Sequence, residues 1–172
     1  MHEYDIAIAI ALVLHPDASY EQIAFEVGIS QSTAHAGVAR LRKAKLLLPG
    51  RGKKADRFAL LEFLEHGLRY VFPVVLGPTR LGIPTAHSAS VFAAHIDAGD
   101  ESYVWPTPAG SLRGRAVTPL VPKIAEVATR SPELSAALSL VDALRVGRVR
   151  EREIASRELR SRFQLPEVAL AV

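Results

Sequence analysis

The 172-residue chain contains no cysteine, and only 6% of its residues are aromatic. Without cysteine it forms neither disulfides nor thiolate metal sites, and a cysteine nucleophile is excluded. Long hydrophobic runs are also missing, because the apolar stretch from Ile6 to Leu14 is too short to span a bilayer. Two acids, Glu3 and Asp5, precede this stretch where a signal peptide would carry lysine or arginine. We therefore expect a cytoplasmic, nucleoid-associated protein that has no membrane partner.

Sequence motifs of common enzymes are absent as well. The chain has no Walker A motif, no dinucleotide-binding glycine motif and no Gly-x-Ser-x-Gly elbow. His87 and His95 are eight residues apart with Asp97 nearby, which is not the ligand spacing of a helix face. A triad of Ser88, His87 and Asp97 can be drawn, but no Gly-x-Ser-x-Gly motif supports it. We expect no enzyme, no metal site and no cofactor, and we interpret these histidines as loop or hydrogen-bonded core residues.

The chain does have a very uneven distribution of charge. Its net charge is only +3, but residues 1–30 carry five acids and no lysine or arginine. Residues 31–57 carry eight lysines and arginines against the single acid Asp56, a local charge of +7. A basic block of this kind is the electrostatic pattern that a polyanion binds.

Two helices are predicted before this block. Apolar side chains lie almost all round the segment Tyr4 to His15, which indicates a helix buried on most faces. Pro16 ends it, because the residue before a proline is disfavoured in the helical conformation. Ser19 and Gln22 then have the spacing of a capping box at the start of a second helix.

A third helix, from Gln31 to about Lys45, follows a tight turn. Gly28 stands where the turn requires a positive φ, and Ser30 can cap the new helix. Ala24, four residues before the glycine, is small enough for the two helices to cross closely. The inward residues of the third helix are predicted to be Ala34, Val38 and Leu41.

Residues 23–33 (IAFEVGISQST) and 38–47 (VARLRKAKLL) resemble the winged helix-turn-helix regulators of bacteria, over about residues 5–57. The resemblance implies a recognition helix that leads into a short strand and a basic wing. Two residues depart from the family pattern, since Ala34 replaces a β-branched residue and Gly37 lies in mid-helix. We expect Gly37 to permit close packing on the first helix or close approach to a phosphate. Leu46–Pro49 could be a strand, but no clear return strand follows, which favours a basic loop.

The resemblance and the helix positions supply two sets of candidate DNA-binding residues. The base readers are Gln31, Ser32, Thr33, His35 and Arg40. The phosphate contacts are Arg42, Lys43, Lys45, Arg51, Lys53, Lys54 and Arg57, which would give affinity without sequence information.

The rest of the chain is predicted to be helical at both ends and irregular in the middle. A connecting helix runs from Asp56 to about Arg69, and Tyr70–Leu76 is interpreted as a short strand or extended edge. Residues 77–114 are predicted to form a long loop with one short strand at Val104 and Trp105. Three further helices are predicted over Lys123–Arg130, from Ser131 through Leu144, and over Arg148–Phe163. The last mixes arginine and glutamate, typical of a solvated helix, with a second DNA contact or a dimer seam as alternatives.

The sequence thus predicts a mainly α protein with minor β structure. Its expected parts are a winged-helix-like DNA-binding domain (1–57), a connecting helix (58–69) and a C-terminal effector or dimerisation region (70–172). The predicted function is a sequence-specific transcriptional regulator, most simply a repressor, that binds double-stranded DNA as a homodimer. The alternatives are an antitoxin-like or adaptor protein whose C-terminal region binds a partner protein, and a small-molecule effector site or enzyme in the Gly/Pro-rich middle.

Overall fold

The computed structural model describes residues 1–50, 52–95 and 101–166. About 56% of the described residues are helical, and three strands among them form one small sheet, which confirms a mainly α protein with minor β structure. The helices are α1 Glu3–Leu14, α2 Tyr20–Val27, α3 Gln31–Lys43, α4 Arg57–His66, α5 Leu68–Val71, α6 Ile124–Arg130, α7 Pro132–Val146 and α8 Val149–Arg162. The strands are β1 Thr79–Pro84, β2 Tyr103–Pro106 and β3 Leu112–Ala116.

The first three helices form as their local signals predict. The Ser19 hydroxyl accepts a hydrogen bond from the Gln22 amide, and the Gln22 side chain accepts one from the Ser19 amide, which completes the capping box. Gly28 ends α2 with a φ of 73°, and Ser30 caps α3. The third helix ends at Lys43 rather than at the predicted Lys45, because Lys45 itself leaves the helix with a φ of 60°.

α1 is the central helix of the core. Every residue from Asp5 to Val13 is buried, because α1 packs against α2 and α3 on one side and against α7 on another. The prediction of burial on most faces is therefore confirmed. The apolar core that contains α1 continues through α4, α7 and α8 and so crosses the predicted boundary at residue 57.

The segment after α3 does have a return segment, which the sequence analysis did not find. Leu47 and Ala55 form an isolated antiparallel bridge, so the described part of this segment has a short return pairing but no return strand. The amide of Leu48 donates to the carbonyl of Lys54 over 2.9 Å, and the amide of Asp56 donates to that of Leu46 over the same distance. The return segment is too short to carry a strand pattern, which is why periodicity could not reveal it.

The predicted connecting helix is two helices, and Tyr70–Leu76, predicted as a short strand or extended edge, forms no strand and is helical at its first two residues. α4 ends at His66, and α5 continues through Val71 into the segment that was expected to be extended. After it, the carbonyl of Phe72 accepts a hydrogen bond from Arg145, and Pro73 offers no amide for a sheet. In this segment Phe72, Val74 and Leu76 pack partly buried against the core, whereas Tyr70, Val71 and Val75 are exposed.

The region expected to be a loop contains two unpredicted strands, β1 and β3, beside the predicted β2. β1 is antiparallel to both partners, and β2 and β3 pair in parallel, so each strand contacts the other two. A Cβ atom at Gly82 would lie 2.2 Å from the carbonyl oxygen of Trp105, and one at Gly114 would lie 2.4 Å from that of Ser102. These glycines, which punctuate the sequence like loop residues, allow the strands to approach closely.

A buried polar cluster joins the sheet to α7. The Asp142 carboxylate accepts hydrogen bonds from the Trp105 indole over 2.6 Å, from the Thr85 hydroxyl over 3.0 Å and from Arg145 over 2.7 Å. Burial raises the pKa of Asp142, while the Arg145 charge and these hydrogen bonds act in the opposite direction. Arg145 also donates to the carbonyls of Phe72 and Thr118. The three C-terminal helices around this cluster were all predicted.

Candidate nucleic-acid interface

One face of α3 is exposed and carries the first candidate base readers. Gln31, Ser32 and His35 are exposed on it, and the small residues Ala36 and Ala39 continue the same face. The predicted inward residues, together with Gly37, are buried on the other side. Because the exposed side chains in the middle of the helix are short, another molecule could approach its backbone closely.

The hydroxyl groups at the start of α3 form a small network. The Ser30 hydroxyl lies 2.9 Å from that of Ser32 and 2.7 Å from that of Thr33, and it accepts the Thr33 amide. Thr33 is only partly exposed. It therefore belongs as much to the cap of the helix as to its outer face, whereas Ser32 is accessible.

His35 is held by an aromatic residue that the sequence analysis did not single out. Its ring stacks on that of Tyr20, with centroids 3.4 Å apart and planes 20° apart. Lys53, from the segment after α3, lies with its ammonium 5.7 Å from the centre of the same Tyr20 ring, a cation–π contact. Tyr20 is the first residue of α2, and no local pattern in the sequence links it to either partner.

Arg40 contacts the protein itself. Its guanidinium donates two hydrogen bonds of 2.8 Å to the carboxylate of Asp5, which is fully buried, and it lies over the ring of Tyr4. The hydrogen bond to Asp5 raises the pKa of Arg40 further. At Gly37, one turn before, a Cβ atom would lie 2.3 Å from Cδ1 of Ile8. The prediction that this glycine permits close packing on the first helix is confirmed.

The predicted phosphate contacts fall into two groups. Lys43, Lys45 and Lys54 are exposed, and none of them forms an ion pair within the described residues. Arg42 and Lys53 hold the segment after α3 in place, Arg42 through a 2.7 Å hydrogen bond to the carbonyl of Gly52 and Lys53 through Tyr20. Arg51 lies outside the described residues.

Arg57 forms its hydrogen bonds with the C-terminal end of α8 and not with the segment after α3. Its guanidinium donates to the carbonyl of Phe163 over 3.2 Å and to the side chain of Gln164 over 3.1 Å. These contacts tie the start of α4 to residues more than a hundred positions later. Part of the hydrogen-bonding capacity of Arg57 is therefore used in the contact between α4 and the end of α8.

The surface formed by α3 and residues 42–54 is basic. The sequence contains no aspartate or glutamate between residues 31 and 55, and the Arg40–Asp5 pair is the one ion pair that bases of this segment make within the described ranges. Lys43, Lys45 and Lys54 consequently keep their charges available to a ligand. The arrangement can bind an anionic polymer along the exposed side of α3.

The turn between α2 and α3 is covered by α6. A Cβ atom at Gly28 would lie 3.5 Å from Cβ of Lys123 and 3.7 Å from the side chain of Val127. Arg130 donates to the carbonyl of Phe25 over 3.2 Å and lies 4.9 Å from the centre of its ring. The C-terminal region thus contacts the turn that sets the angle between α2 and α3.

The histidines of the middle region have separate surroundings. Nε2 of His87 lies 2.9 Å from the carbonyl oxygen of Glu101, whereas Nε2 of His95 lies 3.3 Å from the carboxylate of Glu158. The Ser88 hydroxyl accepts the amide of Tyr103. A hydrogen bond from Arg162 is the main cause that lowers the pKa of Glu158. Asp97, the third member of the hypothetical triad with Ser88 and His87, lies outside the described residues.

Residues 1–50, 52–95 and 101–166 contain neither a candidate metal site nor a candidate membrane span. No group of three or more histidine, aspartate or glutamate side chains is placed there to hold a metal ion. No helix in these ranges combines the length and the apolar character needed to cross a membrane.

Comparison of the chain with protein-family models, with curated proteins and with solved structures finds no match. The function of the chain is therefore inferred from its own residues and geometry.

Proposed function

We propose that the protein is a sequence-specific DNA-binding transcriptional regulator, a dimeric repressor in which α3 is the recognition helix. The observation that carries the proposal is the exposed face of α3, which joins hydrogen-bonding side chains at its start to unpaired lysines at its end. The helix-turn-helix resemblance supports it, and so do the cap at Ser30 and the left-handed turn at Gly28. The winged-helix assignment is part of this proposal, with residues 46–56 as the wing.

The start of α3 would read bases. The amide of Gln31 can pair with both N6 and N7 of adenine, and the Ser32 hydroxyl can donate or accept. His35, fixed on Tyr20, would present one ring edge in a constant orientation. Ala36 and Ala39 are small enough for the helix to enter a major groove, and their methyl groups can contact thymine.

The phosphate contacts would come from Lys43, Lys45 and Lys54, with Arg51 as a further candidate from the sequence. Arg42 and Lys53 would position the wing and contact phosphate through their remaining donors. Arg40 and Arg57 have partners within the protein, so we assign them to the stability of the module rather than to base or phosphate recognition.

The test is a DNA-binding titration at several salt concentrations. Duplexes from the upstream region of the protein's own gene are compared with scrambled duplexes by fluorescence anisotropy. We expect binding whose logarithm falls linearly with the logarithm of salt concentration. Lys43→Ala and Lys54→Ala should each reduce that slope by about 1 for all sequences, whereas Gln31→Ala should reduce the preference for the specific duplex.

Arg80→Ala and Arg113→Ala are the matched controls, because both arginines are exposed on the sheet and each variant also removes one positive charge. They should leave binding unchanged. The proposal is overturned if no duplex binds at low salt, or if the controls weaken binding as much as Lys43→Ala and Lys54→Ala.

The second candidate is an adaptor or antitoxin-like protein that binds a partner protein through its C-terminal region. One observation favours it: Tyr70, Val71 and Val149 are large apolar side chains that remain more than half exposed on α5 and α8. An adaptor that does not act on DNA would show no salt-dependent DNA binding in the titration above.

A further inference from the structure

A groove lies between the end of α4, the short helix α5 and the outer side of α8. Its volume is about 520 Å³, and Leu144 of α7 lines it together with Tyr70 and Val149. The side chain of Tyr70 is 76% exposed and that of Val149 is 62% exposed. Val71, next to Tyr70, is exposed as well. Three of the ten residues that line the groove are apolar and the other seven are polar or charged, a composition that fits an interface with a small apolar centre.

The charged residues of the groove carry both signs. Its basic lining residues are Arg69, Arg152 and Arg160, and its acidic ones are Glu65 and Glu153. A purely acidic or purely basic partner would leave one set facing its own sign. A second copy related by a two-fold axis brings the same mixed set from the opposite direction, so acids of one copy can meet bases of the other.

The groove and the recognition surface use different elements. α3 packs on α1 and α2, whereas the groove is lined by residues of α4, α5, α7 and α8. Docking at the groove therefore leaves the exposed residues of α3 uncovered. A single recognition helix contacts only a few base pairs, and regulators of the proposed kind pair two of them.

We infer that the α5–α8 groove is the surface through which two copies of this chain form a two-fold symmetric dimer. The choice of a second copy over another protein as the partner rests on the proposed function. The assignment of the groove as an interface rests only on its shape and lining. Tyr70 and Val149 would form the apolar centre of the contact, and the arginines and glutamates would form its rim.

The test is the dissociation constant of the full chain in the absence of DNA, measured by sedimentation equilibrium. Tyr70→Glu and Val149→Glu should each weaken association by at least about a hundredfold, because each replaces an apolar contact at the centre with a carboxylate that must lose its hydration. Both residues are exposed in the single chain, so neither change should unfold it, which the fluorescence of buried Trp105 verifies.

Val75→Glu is the matched control. It makes the same substitution at a valine that is 88% exposed and does not line the groove, so the dimer should persist. The inference is overturned if the wild-type chain is monomeric at all concentrations, if both groove variants remain dimeric, or if Val75→Glu dissociates the dimer equally. A monomeric chain that loses a heterologous protein partner in Val149→Glu also overturns it, in favour of that partner.

Failure of this inference differs from failure of the proposed function. The sedimentation measurement requires no DNA, and a Val149→Glu monomer should still bind a half-site duplex with the same dependence on Lys43 and Lys54. A stable dimer that binds no DNA would contradict only the proposed function.

Discussion

The ring of His35 stacks on the ring of Tyr20 at a centroid distance of 3.4 Å. The contact joins an exposed residue of α3 to the first residue of α2, and Lys53 approaches the same tyrosine from the segment after α3. One aromatic ring therefore fixes the relative positions of three segments. In the proposed complex these are the recognition helix, the helix before it and the wing.

Two substitutions of Tyr20 should distinguish the contribution of its ring to DNA affinity from that of its hydroxyl group. Tyr20→Phe keeps the stacking surface and should retain the affinity for specific DNA. Tyr20→Leu removes the π face that orients His35 and attracts Lys53, so we expect affinity to fall about three- to tenfold, in line with the worth of an exposed cation–π contact plus an aromatic pair. Anisotropy titrations measure the affinities. Equal affinities of the two variants would show that the stack does not position the interface.

Removal of the Arg40 guanidinium should destabilise the protein. Arg40→Met leaves the buried Asp5 carboxylate without its cation and should lower the free energy of unfolding by about 2–3 kcal/mol. The double variant Asp5→Asn/Arg40→Met should regain most of that loss, because no uncompensated charge remains. Urea denaturation measures both. A fully stable Arg40→Met protein that has lost sequence preference would instead make Arg40 a base reader.

A methyl group at position 37 should strain the contact between α3 and α1. Alanine is the better helix former by up to about 1 kcal/mol, but the added Cβ atom overlaps Cδ1 of Ile8. We expect Gly37→Ala to cost a net of about 1–2 kcal/mol in unfolding free energy. In an Ile8→Val background, which lacks that Cδ1 atom, the same substitution should cost clearly less. A cost that is identical in both backgrounds would contradict this explanation.

Glu26 should make stability depend on pH. Burial raises its pKa, the nearby Glu133 adds to this effect and His15 opposes it, and Oε2 has no hydrogen-bond partner in the described part of the chain. An acid whose pKa is higher in the folded chain destabilises that chain once it is ionised, and the loss disappears as the pH falls through this pKa towards the unfolded value. Glu26→Gln should therefore raise stability near pH 7 by about 0.5–1 kcal/mol.

The difference between Glu26→Gln and wild type should shrink as the pH approaches 4 in urea denaturations. Glu21→Gln, at an exposed position of the same helix, is the control and should change little. A gain in Glu26→Gln that stays constant with pH would point to packing and away from the charge.

Local signals predicted the parts of the fold that they govern. The box of Ser19 and Gln22, the glycine at 28 and the cap at Ser30 each act within a few residues, so the sequence alone placed α2, the turn and the start of α3. The charge block likewise placed the basic surface. Such features depend on neighbours along the chain and not on tertiary contacts.

The missed side-chain contacts and the missed strands depend on distant partners. Asp5 and Arg40 are 35 positions apart, and Arg57 and Phe163 are 106 positions apart, so no window of sequence contains both members. β1 and β3 were missed because their pairing is non-local and because Gly82 and Gly114 weaken the strand pattern. The base-reading and phosphate assignments of the exposed residues stay predictions, while the partners of Arg40 and Arg57 could be known only from the folded chain.

The burial of α1 from Asp5 to Val13 has a consequence for the unit in which this protein folds. α1 supplies the core both to α2 and α3 and to α7, so neither half can bury its own apolar surface without it. We therefore expect unfolding to be a single cooperative transition, with coincident curves for helix content and for Trp105 fluorescence. A fragment that ends at residue 57 would expose the side of α1 that α7 covers and should aggregate. The proposed DNA-binding module is therefore not separable from the helices that follow it.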